Sequence, residues 1–159
     1  MNYKLIALDM DGTLLRKDKT VSERTKKAIE DARKKGVTVV LATGRPIDGV
    51  TRYLEELDMY GENDYVLSYN GGLVLKTKDR EPICKIGLTG EDLHYLYEVS
   101  KDLGVNIHAF SETKGLITPK NSKYTEVEAN INNIKINIED FNKLEKDHSI
   151  IKIMMIDEE

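Results

Sequence analysis

At 159 residues, 40% hydrophobic and 33% charged, the chain has the size and composition of one domain, or of a small domain plus part of a second, which excludes a disordered tail. Its 24 Lys and Arg against 28 Asp and Glu give a formal charge of −4, which argues against nonspecific attraction to nucleic acid or an anionic membrane. No apolar run approaches the ~20 residues that span a bilayer, and the stretch from Met1 to Leu5 lacks a signal-peptide layout. Cys84 is alone, so no internal disulfide or thiolate cluster forms, and a cytoplasmic protein is expected.

In chain order, residues 4–8 form a short apolar run bounded by Asp9-Met10-Asp11-Gly12, the pattern of a buried strand entering a polar loop. A helix is predicted over 23–35. Ser22 supplies its N-cap, Ala28, Ile29 and Ala32 its inner face, and Gly36 its stop. Thr20 with Glu23 offers an alternative capping box two residues earlier. Residues 37–42 are continuously apolar and rich in β-branched side chains, as in a parallel strand buried on both faces, until Thr43-Gly44-Arg45-Pro46 breaks the run. Ile47, Val50, Leu54 and Leu57 recur at helical spacing, and 65–68 read as a third strand closed by Tyr69-Asn70-Gly71-Gly72.

This alternation predicts a doubly wound parallel α/β sheet, whose ligands sit beyond the carboxyl ends of the strands. Asp9-Met10-Asp11, Thr43-Gly44-Arg45 and Asn70-Gly71-Gly72 each follow a strand directly, so three polar clusters converge on one rim. After Gly72 the pattern changes. Residues 73–77 and 83–86 suggest a hairpin, and Thr89-Gly90-Glu91-Asp92 opens a helix that stops at Gly104. Residues 105–110, 115–118 and 150–156 read as strands, with weaker helical stretches over 122–129 and 138–145. The expected division is 1–82 for the parallel unit and 83–159 for an α+β module.

Two carboxylates two residues apart at a strand end admit three readings. A calcium loop fails on spacing, because its sixth position needs glycine and, counted from Asp9, holds Leu14. A plain turn suits Asp and Gly. A phosphoryl-transfer pair suits them as well, with Asp9 attacking phosphorus and Asp11 protonating the leaving oxygen before activating water. Gly12 would let backbone N–H groups approach the phosphate, and Mg²⁺ takes one or two carboxylates together with phosphate and water.

Leu8-Asp9-Met10-Asp11-Gly12-Thr13-Leu14 resembles motif I of the haloacid dehalogenase superfamily. Leu41-Ala42-Thr43-Gly44-Arg45-Pro46 resembles motif II of its Cof-type branch, the cytoplasmic sugar-phosphate phosphatases. Ser68-Tyr69-Asn70-Gly71-Gly72 and Met154-Met155-Ile156-Asp157 resemble further segments of that branch, so the similarity runs over the chain. The resemblance implies a partial Rossmann-like core of three parallel strands in the order 3-2-1, followed by part of an α+β cap. It also implies a Mg²⁺-dependent phosphatase that hydrolyses small phosphorylated metabolites, sugar phosphates above all, through a phosphoaspartyl intermediate. Asp9 would then be nucleophile and magnesium ligand, and Asp11 the acid/base with its carbonyl on the metal. The Met10 and Gly44 N–H groups and the Thr43 hydroxyl would hold phosphoryl oxygens. Arg45 would pair with substrate or with a surface carboxylate. Asn70 would line the substrate entrance or simply make a tight turn.

Two elements that the family normally uses are missing from the sequence, a lysine on a later loop and a Gly-Asp-x-x-Asn-Asp motif. No Gly-Asp pair occurs, Lys152 falls in a strand pattern, and Asp157-Glu158-Glu159 is a charged terminus. The resemblance therefore implies a chain that ends within the cap and turns over slowly. The alternative function is a silent fragment with weak phosphate or Mg²⁺ binding, acting only through self-association. Residues 4–9 would form an exposed sheet edge open to such pairing. His94, His108 and His148 lack metal-ligand spacing and are expected to be structural.

Overall fold

The computed structural model describes residues 3–157; Met1 and Asn2 of the opening stretch, and Glu158 and Glu159 of the charged terminus, lie outside the described residues. The chain divides into two compact units, Met1–Lys85 and Ile86–Glu159.

In the first unit, β1 (Leu5–Asp9), β2 (Thr38–Ala42) and β3 (Tyr65–Ser68) run parallel, and β4 (Leu73–Lys76) and β5 (Pro82–Lys85) add antiparallel, in the order β1-β2-β3-β4-β5. The register places Asp9 beside Ala42 and Ala42 beside Leu67, so all three parallel strands end at one level. The polar segments that follow them therefore share a rim, as the alternation predicts. Val39, Val40 and Leu41 are buried, which explains why β2 is continuously apolar: both faces of the strand are covered. β1 is not the buried strand its apolar run suggests. It lies at the sheet edge with β2 as its neighbour, and Leu5 and Ile6 are 58% and 38% exposed.

Helix α1 (Glu23–Lys34) starts where Ser22 Oγ accepts the Thr25 N–H, so Ser22 rather than Thr20 is the cap. It ends through Lys35 into Gly36, whose φ of 80° suits glycine. After β2, Pro46 delays the next helix, so residues 47–49 form a 3₁₀ turn and α2 covers only Thr51–Glu56. Tyr53 and Leu54 of α2 join Ile29, Leu41, Val66 and Leu75 in the core, together with Met10, Leu14 and Leu15 from the loop after β1. The division falls three residues later than the sequence suggests, because Pro82–Lys85 pairs with β4 and so belongs to the first sheet.

In the second unit, α3 (Gly90–Leu103) opens with a capping box between Thr89 and Asp92 and stops at left-handed Gly104, as predicted. Gly90 has no room for a side chain, since a Cβ there would stand 2.0 Å from the Glu145 carbonyl oxygen. The sheet has the order β8-β7-β6-β9, formed by β6 (Asn106–Ser111), β7 (Gly115–Thr118), β8 (Ile136–Ile138) and β9 (Ile150–Ile156). α4 (Lys123–Asn132) connects β7 to its parallel neighbour β8, a strand absent from the sequence pattern, which places Ile138 at the start of a helix. The helix expected over 138–145 is a single 3₁₀ turn at Phe141–Lys143, which buries Phe141 beneath Tyr97 of α3. The three histidines take no part in a cluster of three or more potential metal ligands among the described residues. His108 is fully buried against Thr125 and Met154, and burial, with the Lys152 charge adding, pushes its pKa down to about 4.

Candidate active site

The loop after β1 alternates like the strand that feeds it. Met10 points into the core while Asp9 and Asp11 stay exposed on the other side. The turn is tied down from within: the Leu14 N–H donates to the Asp9 carbonyl at 3.1 Å, and the Leu15 N–H to the Met10 carbonyl at 2.8 Å. Gly12, at φ 85°, makes the reversal. Thr13 Oγ1 donates to Asp9 Oδ2 at 2.8 Å, which fixes that carboxylate's orientation. The other oxygen, Oδ1, has no hydrogen-bond donor among the described residues.

Asp11 is held by two cations. Arg45 Nε donates to Oδ2 and Arg45 Nη2 to Oδ1, both at 2.7 Å, and Lys19 Nζ donates to Oδ1 at 2.7 Å. The Arg45 guanidinium holds the Asp11 carboxyl well below the usual carboxylate range, with Lys19 adding to it against a partial burial penalty. Arg45 in turn stays protonated to higher pH because of Asp11. The side chain of Arg45 is only 5% exposed and lies over the ring of Tyr53, 5.7 Å from its centroid. Its carboxylate partner is thus Asp11 of the rim itself rather than one elsewhere on the surface.

The segments after β2 and β3 are clipped together. The Asn70 N–H donates to the Thr43 carbonyl and the Tyr69 N–H to the Arg45 carbonyl, each at 3.0 Å. To make this approach Tyr69, Asn70 and Gly71 all take positive φ, at 51°, 58° and 89°. Asn70 Oδ1 lies 2.5 Å from where a Cβ on residue 44 would stand, so any larger residue there must push the Asn70 side chain aside. Burial, with the Asp48 charge adding, pushes the Tyr69 phenol up to about 12. Thr43 is buried, and its hydroxyl oxygen accepts the Arg45 N–H at 3.2 Å, which leaves the O–H itself as a donor for a bound anion.

Asp9, Met10, Asp11, Thr43, Gly44, Arg45 and Asn70 therefore lie on linked segments of one rim. Thr13, Lys19 and Tyr53 also build this site and were not singled out by sequence reasoning. Only Thr13 had a signal there, as part of the first motif. The donors available for a metal are hard oxygens, Asp9 Oδ2, which accepts only the one bond from Thr13, and the Asp11 carbonyl, and the described residues contain no group of three acidic, histidine or cysteine side chains placed to hold a metal ion. That set fits Mg²⁺, which keeps several waters and binds through one or two protein groups plus phosphate. A separate open cleft of about 580 Å³ lies by the amino ends of β2 and β3, where Arg33 clasps Asp64 at 2.5 Å. Its arginine is committed to that clasp and to the Leu57 and Asp58 carbonyls, so the cleft offers no comparable chemistry.

An α/β sheet with paired aspartates at the carboxyl end of its first strand defines the class. The sequence profile of the haloacid dehalogenase-like hydrolases matches residues 6–159, and the chain belongs to that family, on its Cof-type branch. It is 41% identical over 157 residues to YxeH of Bacillus subtilis, a protein carrying a provisional phosphatase name, covering 98% of this chain and 58% of that one. A haloacid dehalogenase-like hydrolase from Bacteroides thetaiotaomicron superposes with a TM-score of 0.76 at 31% identity, over 89% of this chain and 53% of that one. A subclass IIB sugar phosphatase of the superfamily shares the fold at a TM-score of 0.75 and 23% identity, over 94% of this chain and 57% of its own. The chain thus spans rather more than half the length of these relatives.

Proposed function

We propose that this chain carries the nucleophile and acid/base of a Mg²⁺-dependent phosphatase for small phosphorylated metabolites, sugar phosphates among them. The observation that carries this reading is Asp9 at the end of β1, oriented by Thr13 through one oxygen and open at the other. The open oxygen attacks phosphorus, the ester P–O bond breaks, and the leaving oxygen takes a proton from Asp11. Asp11 then takes a proton from water as the water oxygen attacks phosphorus, which releases phosphate and restores Asp9. The Thr43 O–H and the Met10 and Gly44 N–H groups hold phosphoryl oxygens through these steps. Two cations keep Asp11 ionised before substrate arrives, the form that activates water. As the substrate's phosphate binds, its negative charge offsets theirs, and Asp11 takes up from solvent the proton that it then donates to the leaving oxygen. The Asp9 carboxylate and the Asp11 carbonyl would hold Mg²⁺, which when bound neutralises phosphoryl charge.

The direct test is hydrolysis of an aryl phosphate with Mg²⁺. Turnover that vanishes in Asp9→Asn supports the reading, and turnover that survives the substitution refutes it. We place the protein in the cytoplasm, in keeping with its lone cysteine; among the described residues no helix is long and apolar enough to cross a membrane.

A second reading concerns association. β1 leaves one edge unpaired among the described residues and exposes Tyr3, Leu5 and Ile6, so we propose self-pairing along this strand. Light scattering on dilute protein tests it. A dimer that Leu5→Lys dissociates is expected, and a clean monomer contradicts it.

A further inference from the structure

Lys19 is held in place by more bonds than a surface lysine needs. Its backbone takes the left-handed conformation, φ 63°, which a side chain with a Cβ adopts only when its surroundings impose it. The Lys19 N–H donates to the Arg16 carbonyl at 2.9 Å, and the Arg16 N–H to the Thr20 carbonyl at 3.0 Å. Asp18 accepts both the N–H and the hydroxyl of Thr20. The buried Tyr53 donates its phenol to the Lys19 carbonyl at 3.1 Å, so the ring that supports Arg45 also anchors this loop. The result is an ammonium delivered to Asp11 Oδ1 at 2.7 Å in a half-exposed pair.

Asp11 does not need it. The Arg45 fork already supplies a donor to each carboxylate oxygen from a buried, ring-supported position. Lys19 is the exchangeable partner, with a flexible stem and a side chain 46% exposed. An acid that protonates a leaving oxygen stands about 3 Å from it, which puts the Lys19 ammonium within about 6 Å of that oxygen. A negative group on the alcohol just beyond the ester oxygen would fall within reach of this ammonium, at a distance where opposite charges attract appreciably.

We propose that Lys19 is a specificity-determining residue that selects phosphate esters whose leaving group carries a second anionic group, a carboxylate or a further phosphate. On binding, the lysine leaves the Asp11 oxygen that Arg45 continues to serve and pairs with the substrate's second charge. The inference rests on the phosphate-site reading given above.

Two non-hydrolysable probes separate the two claims. Methylphosphonate presents a phosphoryl-like head alone, and phosphonoacetate presents the same head with an appended carboxylate. Calorimetric binding with Mg²⁺ should show phosphonoacetate the tighter by about tenfold in the unaltered chain. Lys19→Ala should shrink that preference to below about threefold, and Lys19→Arg should keep most of it. Thr43→Val should weaken both probes alike, because it removes a head-group donor. Lys19→Ala that weakens both probes equally, or neither, overturns the selectivity inference and leaves the phosphate site standing. An unaltered chain that binds neither probe, or a Thr43→Val variant that binds both as before, overturns the phosphate-site reading itself.

Discussion

Asp11 and Arg45 lie 34 residues apart in sequence and meet through two hydrogen bonds of 2.7 Å, a fork-to-fork pair between the segments that follow β1 and β2. The contact joins the acid/base candidate to a guanidinium buried over Tyr53. It makes the spacing of two loop segments a property of one ion pair.

Breaking that pair should show in stability as well as in chemistry. Arg45→Ala leaves Asp11 with Lys19 alone and empties a buried position, so a loss of about 2–3 kcal/mol is expected in urea unfolding. Arg45→Lys keeps the charge but not the fork, and should recover less than half of the loss.

The approach of Asn70 to Gly44 predicts a rescue. Gly44→Ala drives a Cβ into Asn70 Oδ1 and should destabilise by about 1–3 kcal/mol. Asn70 already has a φ of 58°, which glycine adopts freely, so Asn70→Gly removes the obstacle without straining the turn. The double variant should lie within about 1 kcal/mol of the single Asn70→Gly change.

Thr13→Val should act on Asp9 without unfolding the loop. It deletes the 2.8 Å hydrogen bond that orients the carboxylate and leaves the Leu14 and Leu15 backbone bonds in place. Thermal unfolding should shift little, with a change under about 1 kcal/mol, while aryl phosphate hydrolysis should fall about tenfold or more.

His108 predicts a pH dependence in the second unit. Its folded pKa of about 4 lies below the ordinary value of 6.5, so the unfolded chain binds the extra proton between them. The associated stability is fully present above pH ~6.5 and is lost as pH falls towards ~4, on the order of 3 kcal/mol in all. Melting followed from pH 7 to 4 should show this slope, and His108→Gln should flatten it.

Local signals made much of this fold legible. Ser22, the Thr89–Asp92 box, Gly36 and Gly104 mark helix ends in the sequence because capping involves only near neighbours. The rim was legible for a related reason, since three strands of matched polarity each end in a polar cluster. Pairing across distance was not. β8 is three residues, Ile136–Ile138, with no pattern of its own, and it exists because β7 offers it an edge. β5 joins the first sheet because it pairs with β4, which moves the boundary from 82/83 to 85/86. Arg45 left two partners open, and the choice of Asp11 depends on the packing of Tyr53 beneath it. Lys19 had no signal, because a left-handed backbone inside a short polar loop leaves no period to read.

The most direct measurement is ¹⁹F NMR of the chain with beryllium fluoride and Mg²⁺, since the fluoride complex mimics a phosphoryl group on a carboxylate and needs no turnover. Protein-bound fluorine signals in the unaltered chain that disappear in Asp9→Asn are the predicted result. Bound signals that persist in Asp9→Asn, or an unaltered chain that gives none, would contradict a nucleophilic role for the aspartate that ends β1.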